Sequence, residues 1–175
     1  MSAVLVADGG LYESSRRHLT TRPEEAGFFL ADYDSATRSL TLRTWRSIPP
    51  DGFESQSDLH LTLRDGVRAE AIKWAWDNDS CLVEAHSHGA NRSACFSPSD
   101  VSGLDEWVPH LWWRLRGRPY AAIVIAGDTF DALAWIDGAN KPEQVAHLAA
   151  DNELHRPTAL TLPQLDDFRK WTRGR

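Results

Sequence analysis

Apolar positions along the chain recur with two periods, and the switches between them mark its elements. Ala3 to Ala7 is a short apolar run closed by the turn Asp8-Gly9-Gly10, and Leu11 to Thr20 reads as a helix with Arg16, Arg17 and His18 near its C-terminus, where cations suit the helix dipole. Pro23 bars its extension. Gly27 to Tyr33 and the alternating stretch Ser39 to Arg46, separated by Asp34-Ser35, predict a hairpin with Glu24 and Glu25 at its mouth. A polar Pro/Gly loop spans Arg46 to Ser57. Asp58 to Leu63 then sets Leu59, Leu61 and Leu63 against His60 and Thr62, the alternation of a half-buried strand with His60 turned outward to solvent. Val67, Ala71, Trp74 and Ala75 return at helical spacing within Asp65 to Trp76.

The stretch that carries chemistry follows the turn Asp77-Asn78-Asp79. Ser80 to His88 predicts a buried strand, on which Glu84, His86 and His88 share one face and Val83, Ala85 and Ser87 the other. Beyond it, Pro98 to Val108 predicts a helix that Pro109 interrupts and a second short helix continues to Gly117. Trp107, Trp112 and Trp113 with His110 give this piece more aromatic surface than one helix face buries. Tyr120 to Ala126 and Thr129 to Ile136 predict a hairpin around Gly127-Asp128, and Gly138 to Pro142 a boundary. Glu143 to Ala150 reads as a helix, Thr158 to Leu162 as an edge strand and Leu165 to Trp171 as a charged terminal helix.

Composition narrows the classes. With 175 residues, 42% of them hydrophobic, one core and one domain are expected, with a body over 3–137 and an extension over 141–175. A net charge of −6 offers no basic stripe for a phosphate backbone, which argues against nucleic acid as a partner. No leader-like or bilayer-length apolar segment is visible, and two isolated cysteines predict no disulfide framework, so a cytoplasmic, reducing setting away from membranes is expected.

Imidazoles two residues apart on one strand face lie within roughly 7 Å of each other, close enough to grip one metal ion. Ser97 as N-cap and Pro98 at the first helical position place Asp100 on the first turn of the next helix, where it offers a carboxylate. Two His and one carboxylate leave a fourth position open, the catalytic rather than the structural zinc pattern. Cys95 stands nearby as a bystander, with a fourth-ligand or redox role as the alternatives.

The string His86-x-His88 followed by Ser97-x-x-Asp100 resembles the metal motif of the JAB/MPN (JAMM) metalloproteases, and Pro23 to Leu30 resembles their glutamate-bearing segment. Gly89 stands where the family usually has Pro, and the loop Gly89 to Phe96 is one residue longer than the family's usual seven. The resemblance spans Leu5 to Ile136. It implies an α/β fold of the JAB/MPN, cytidine-deaminase-like kind, a curved mixed sheet flanked by helices. It also implies one zinc ion per chain on His86, His88 and Asp100, with Glu24 as general base by the E-x-x-G pattern and Ser97 stabilising the oxyanion. Glu25 and Glu84 are the rival bases. The implied activity is removal or processing of a ubiquitin-like modifier by a standalone, prokaryotic-type isopeptidase, with ubiquitin or ubiquitin-like conjugates as partners beside activating and conjugating enzymes. A non-catalytic MPN scaffold and a metallohydrolase of a small cysteine- or amine-bearing adduct are the alternatives.

Overall fold

The computed structural model describes residues 2–165. Eleven strands and three α-helices follow in the order β1 (Val4–Ala7), α1 (Gly9–Leu19), β2 (Ala26–Asp34), β3 (Ser39–Ser47), β4 (Phe53–Gln56), β5 (Leu61–Leu63), α2 (Asp65–Asp77), β6 (Cys81–His88), α3 (Pro98–Arg114), β7 (Tyr120–Ala126), β8 (Thr129–Trp135), β9 (Glu143–Gln144), β10 (Leu148–Ala150) and β11 (Glu153–His155). Nine strands form one mixed sheet in the order β11-β10-β1-β3-β2-β6-β7-β8-β9, while β4 and β5 pair only with each other. The protein is therefore of the α/β class, with helices on both faces of a curled mixed sheet.

The curl follows from chain connectivity. β9 pairs with β8 and β10 pairs with β1, near opposite ends of the strand order, yet only residues 145–147 join them. A link that short spans at most about 14 Å, so the two ends of the sheet must bend toward each other. Backbone hydrogen bonds complete the bend: Val145 N–H donates to Ala132 O at 3.1 Å and Ala146 N–H to Ala3 O at 2.9 Å. The helix expected over Glu143 to Ala150 is thus replaced by two short strands, because pairing at two sheet edges satisfies more backbone than an isolated eight-residue helix would. Residues 143–155 belong to the same sheet as the body of the chain.

Two cores result. On the inner face, Leu5, Leu40, Val83, Ile123 and Leu148 pack beneath Tyr12 and Leu19 of α1. On the outer face, Leu82, Tyr120 and Leu133 pack beneath α2 and α3. Helix α3 buries Val101, Leu104, Val108 and Leu111, and its C-cap Leu115 extends the same stripe, which runs at helical spacing straight through Pro109. The interruption expected at Pro109 does not occur: the missing backbone bond costs roughly 3 kcal/mol, less than the burial of residues on both sides of it, each worth about 1.5–3 kcal/mol. Trp107 is buried in this stripe, whereas Trp113 is 71% exposed.

The edge strand expected at Thr158 to Leu162 is not formed; residues 158–160 are irregular and unpaired, with Ala159 in the left-handed region at φ 54°, and 161–165 begin a helix. The charged helix expected onward from Leu165 lies outside the described residues. No helix among the described residues is long and apolar enough to cross a membrane.

The Trp107 indole donates to the Tyr120 hydroxyl at 3.1 Å, both side chains being buried. Tyr120→Phe would leave that N–H without an acceptor, and a loss of about 1–3 kcal/mol is expected. Urea denaturation should show a lower midpoint at unchanged slope.

Candidate metal centre

Strand β6 lies mid-sheet between β2 and β7 and is buried along its length, His86 included, except at the half-buried Glu84 and His88. As alternation requires, Val83 and Ala85 face the inner core, leaving Glu84, His86 and His88 toward α3. The capping box at Ser97 then turns α3 so that its first carboxylate meets the imidazoles. Asp100 N–H donates to Ser97 Oγ at 3.2 Å and Ser97 N–H donates to Asp100 Oδ2 at 2.7 Å. That same Oδ2 lies 3.6 Å from His86 Nε2 and 3.2 Å from His88 Nε2.

The three donors fit a metal ion. The His86 and His88 Nε2 atoms face each other at 3.2 Å, a separation at which two ring nitrogens need a proton or a cation between them. In a tetrahedral set with bonds of about 2.0–2.1 Å, neighbouring donors stand about 3.3 Å apart, close to the three distances found here. Among the described residues, His86, His88 and Asp100 form the one group of this kind. Electrostatics agree with a shared charge. Burial would raise the Asp100 carboxyl, but hydrogen bonds from His86 and His88 outweigh it and hold the group well below the usual carboxylate range. Burial likewise works against charge on His86, and the Asp100 carboxylate reverses this, so its pKa lies above the ordinary imidazole value.

Pairing register separates the two candidate glutamates. Ala26 lies opposite His86 in the antiparallel β2–β6 ladder, so Glu24, two residues earlier, falls level with His88 and on the same face. It is 7% exposed. Burial raises its carboxyl pKa, and His88 and His86 pull it back only in part. Glu25 takes the opposite face, where its carboxylate approaches His18 Nε2 at 3.6 Å, and its backbone N–H donates to Ser87 Oγ at 2.8 Å. Glu84 keeps to the face of His86 two residues further back along the strand and is half-buried; burial first, and then the charge and hydrogen bonding of Glu84, push the Tyr120 hydroxyl up.

Two spaces adjoin the donors. An open groove of about 820 Å³ contains Glu24, His88, Ser97 and Asp100, and a narrower chamber of about 200 Å³ reaches along α3 past His86, Gly103 and Trp107. The β4–β5 hairpin overhangs both. Gln56 Nε2 donates to Glu24 O at 2.9 Å and Glu24 N–H to Ser57 O at 3.1 Å, tying this flap to the glutamate segment. The strand expected over Asp58 to Leu63 is present only as Leu61–Leu63, and its partner β4 lies within what was expected to be the polar loop Arg46 to Ser57, since a strand of four residues gives too few alternations to register. Leu59, expected to point inward, is 79% exposed because strand pairing begins only at Leu61. His60 does project away from the core, yet it lines both the groove and the chamber rather than open solvent alone.

Cys81 and Cys95 are free thiols, in keeping with the absence of a disulfide framework. Cys95 is not one of the converging donors; its thiol donates to Gln164 Oε1 at 3.3 Å, and burial raises its pKa.

No family model matches the chain, and no curated protein is similar to it in sequence. Solved structures do resemble it in fold. A protein of Desulfitobacterium hafniense, whose structure was determined in solution, aligns over 85% of this chain and 95% of its own at 14% identity, with a TM-score of 0.51. That likeness concerns the arrangement of sheet and helices alone.

Proposed function

We propose that this protein is a zinc-dependent isopeptidase of the JAB/MPN kind, acting on the C-terminal tail of a ubiquitin-like modifier. The observation that carries the reading is the placement of a buried carboxylate, Glu24, level with one of three donors spaced for a tetrahedral metal. His86, His88 and Asp100 would hold the ion. Bound there, zinc supplies Lewis acidity, making water a stronger acid and polarising a carbonyl.

The residues do the rest. Glu24 Oε accepts a proton from attacking water and passes it to the nitrogen of the leaving amine, a task suited to a carboxyl raised by burial above its ordinary pKa. The Ser97 hydroxyl accepts the Asp100 N–H, which leaves its own proton free to donate to the carbonyl oxygen as negative charge develops. Glu25 and Glu84 are assigned no proton transfer: the first faces His18 across the strand, and the second lies beyond His86 in the chamber.

The chamber beneath the flap suits an extended peptide. It is bounded on one side by β5 and on the other by Ser99, Gly103 and Trp107 of α3, with the small residues nearest the donors. A modifier tail ending in small residues would thread there by strand addition, with activating and conjugating enzymes of the same cytoplasmic pathway as partners.

Incubation with ubiquitin-like fusions and isopeptide conjugates, with and without a zinc chelator, tests the proposal. Chelator-sensitive cleavage directly after the modifier's last residue is expected. Binding to conjugates of the host without cleavage by zinc-loaded protein would favour a scaffold. Release only from small cysteine or amine adducts would favour the small-molecule hydrolase.

A further inference from the structure

The loop before Ser97 has to be held still if Asp100 is to stay at its distances from the imidazoles, and its own sequence, Gly89 to Phe96, is polar and lacks regular structure. We infer that Thr161 and Asp131 are positioning residues for the metal centre, through which the C-terminal segment clasps this loop. The inference rests on the metal reading of His86, His88 and Asp100, but its contacts lie outside that set.

Asp131 sits on β8 with no exposure to solvent, an expensive place for a carboxylate unless every lone pair is met. Four donors meet it. Ala132 N–H at 2.9 Å and Gln144 Nε2 at 2.8 Å bond Oδ1; Thr161 N–H at 3.0 Å and the Thr161 hydroxyl at 2.6 Å bond Oδ2. With its proton committed to Asp131, the Thr161 oxygen can only accept from elsewhere, and it accepts Phe96 N–H at 3.1 Å. Phe96 directly precedes the N-cap residue of α3. The relay therefore runs Asp131, Thr161, Phe96, Ser97, Asp100, from a buried β-strand paired on both sides to a metal donor.

Two further threonines hold the same loop. Ala94 N–H donates to Thr129 Oγ1 at 3.0 Å, and Thr158 Oγ1 donates to Ala94 O at 2.6 Å, while Thr158 N–H donates to Phe130 O at 2.9 Å. Ala94 and Phe96 are buried and thus have no water to substitute for these partners. Threonine hydroxyls at 158 and 161, with the Thr158 N–H, hold this irregular segment against the body without strand pairing. It also assigns a task to part of the region beyond residue 141.

Thr161→Val keeps the shape of the side chain and removes its hydroxyl bonds to Asp131 and Phe96, together with the 3.7 Å contact to Cys95 Sγ in the same loop. Zinc affinity, measured by competition with a chromophoric chelator well below the melting temperature, is expected to fall about tenfold, the lower end of the range for groups that support metal ligands. Thr161→Ser, which restores the hydroxyl, should bind zinc as wild type does. Tyr120→Phe, destabilised elsewhere in the core, should also bind as wild type, which separates positioning from general loss of stability. In the metal-free protein, amide exchange at Phe96 should quicken in Thr161→Val and not in Thr161→Ser. Wild-type zinc affinity together with wild-type protection at Phe96 in Thr161→Val would overturn the clasp. Should wild-type protein bind no zinc, the metal reading fails, and the exchange result at Phe96 still decides whether the clasp holds the loop.

Discussion

Replacing Glu24 by Gln is expected to lower turnover by about 10²–10⁴-fold, the contribution typical of a positioned general base, while zinc content stays near one per chain. The substitution is nearly isosteric and removes only the capacity to take a proton. Glu24 owes its place to the β2–β6 ladder, which is main chain, and to hydrogen bonds of its own backbone with Ser57 and Gln56, so the variant should fold and keep its flap. Glu25→Gln and Glu84→Gln provide the comparison. Glu25 lies across the strand beside His18, and Glu84 lies in the chamber, so both variants should retain most activity. Near-normal cleavage by Glu24→Gln would move the base to one of these two.

Removing a donor should have the other large effect. His86→Ala, His88→Ala and Asp100→Ala are each expected to lose stoichiometric zinc, read by elemental analysis after gel filtration. Three protein ligands are the usual complement of a catalytic zinc, and two do not retain it against dilution. Asp100→Asn separates the two roles of that side chain. Its amide oxygen can still accept the Ser97 N–H, as Oδ2 does at 2.7 Å, so the start of α3 survives while the charge opposite the imidazoles is gone. Circular dichroism should therefore be unchanged in Asp100→Asn although zinc is lost. Zinc content equal to wild type in the two histidine variants would eliminate the site.

Much of the centre was legible because its parts are local. Alternation over the eight residues of β6 is long enough to phase, so His86 and His88 fall on one face by counting. Ser97-Pro98 with Asp100 three residues after the Ser is a helix start whose hydrogen bonds close within one turn. Neighbouring Glu24 and Glu25 could not be told apart by counting, because period-two reasoning gives opposite faces without saying which face meets the histidines. The register of β2 against a strand about 60 residues later settles which of them lies level with His88. Pro109 misled for a different reason: the local cost of proline is constant, whereas the gain from the stripe Val101 to Leu115 exists only where the sheet lies beneath it.

By itself, then, the sequence determined the hairpin of β2 and β3, the central strand with its two imidazoles, the capped helix carrying Asp100 and the β7–β8 hairpin, all set by side-chain periodicity and turn chemistry within about twenty residues. Tertiary structure alone decided the closing of the sheet through 143–150, the flap over the groove, the separation of Glu24 from Glu25, and the hold of Thr161 on the loop before Ser97. Each depends at some point on hydrogen bonds between groups 30 or more residues apart, such as Ala146 to Ala3, Gln56 to Glu24, Thr161 to Asp131 and Phe96 to Thr161. A strand of two or three residues has no period of its own, and it forms where a neighbouring edge already offers partners for its backbone.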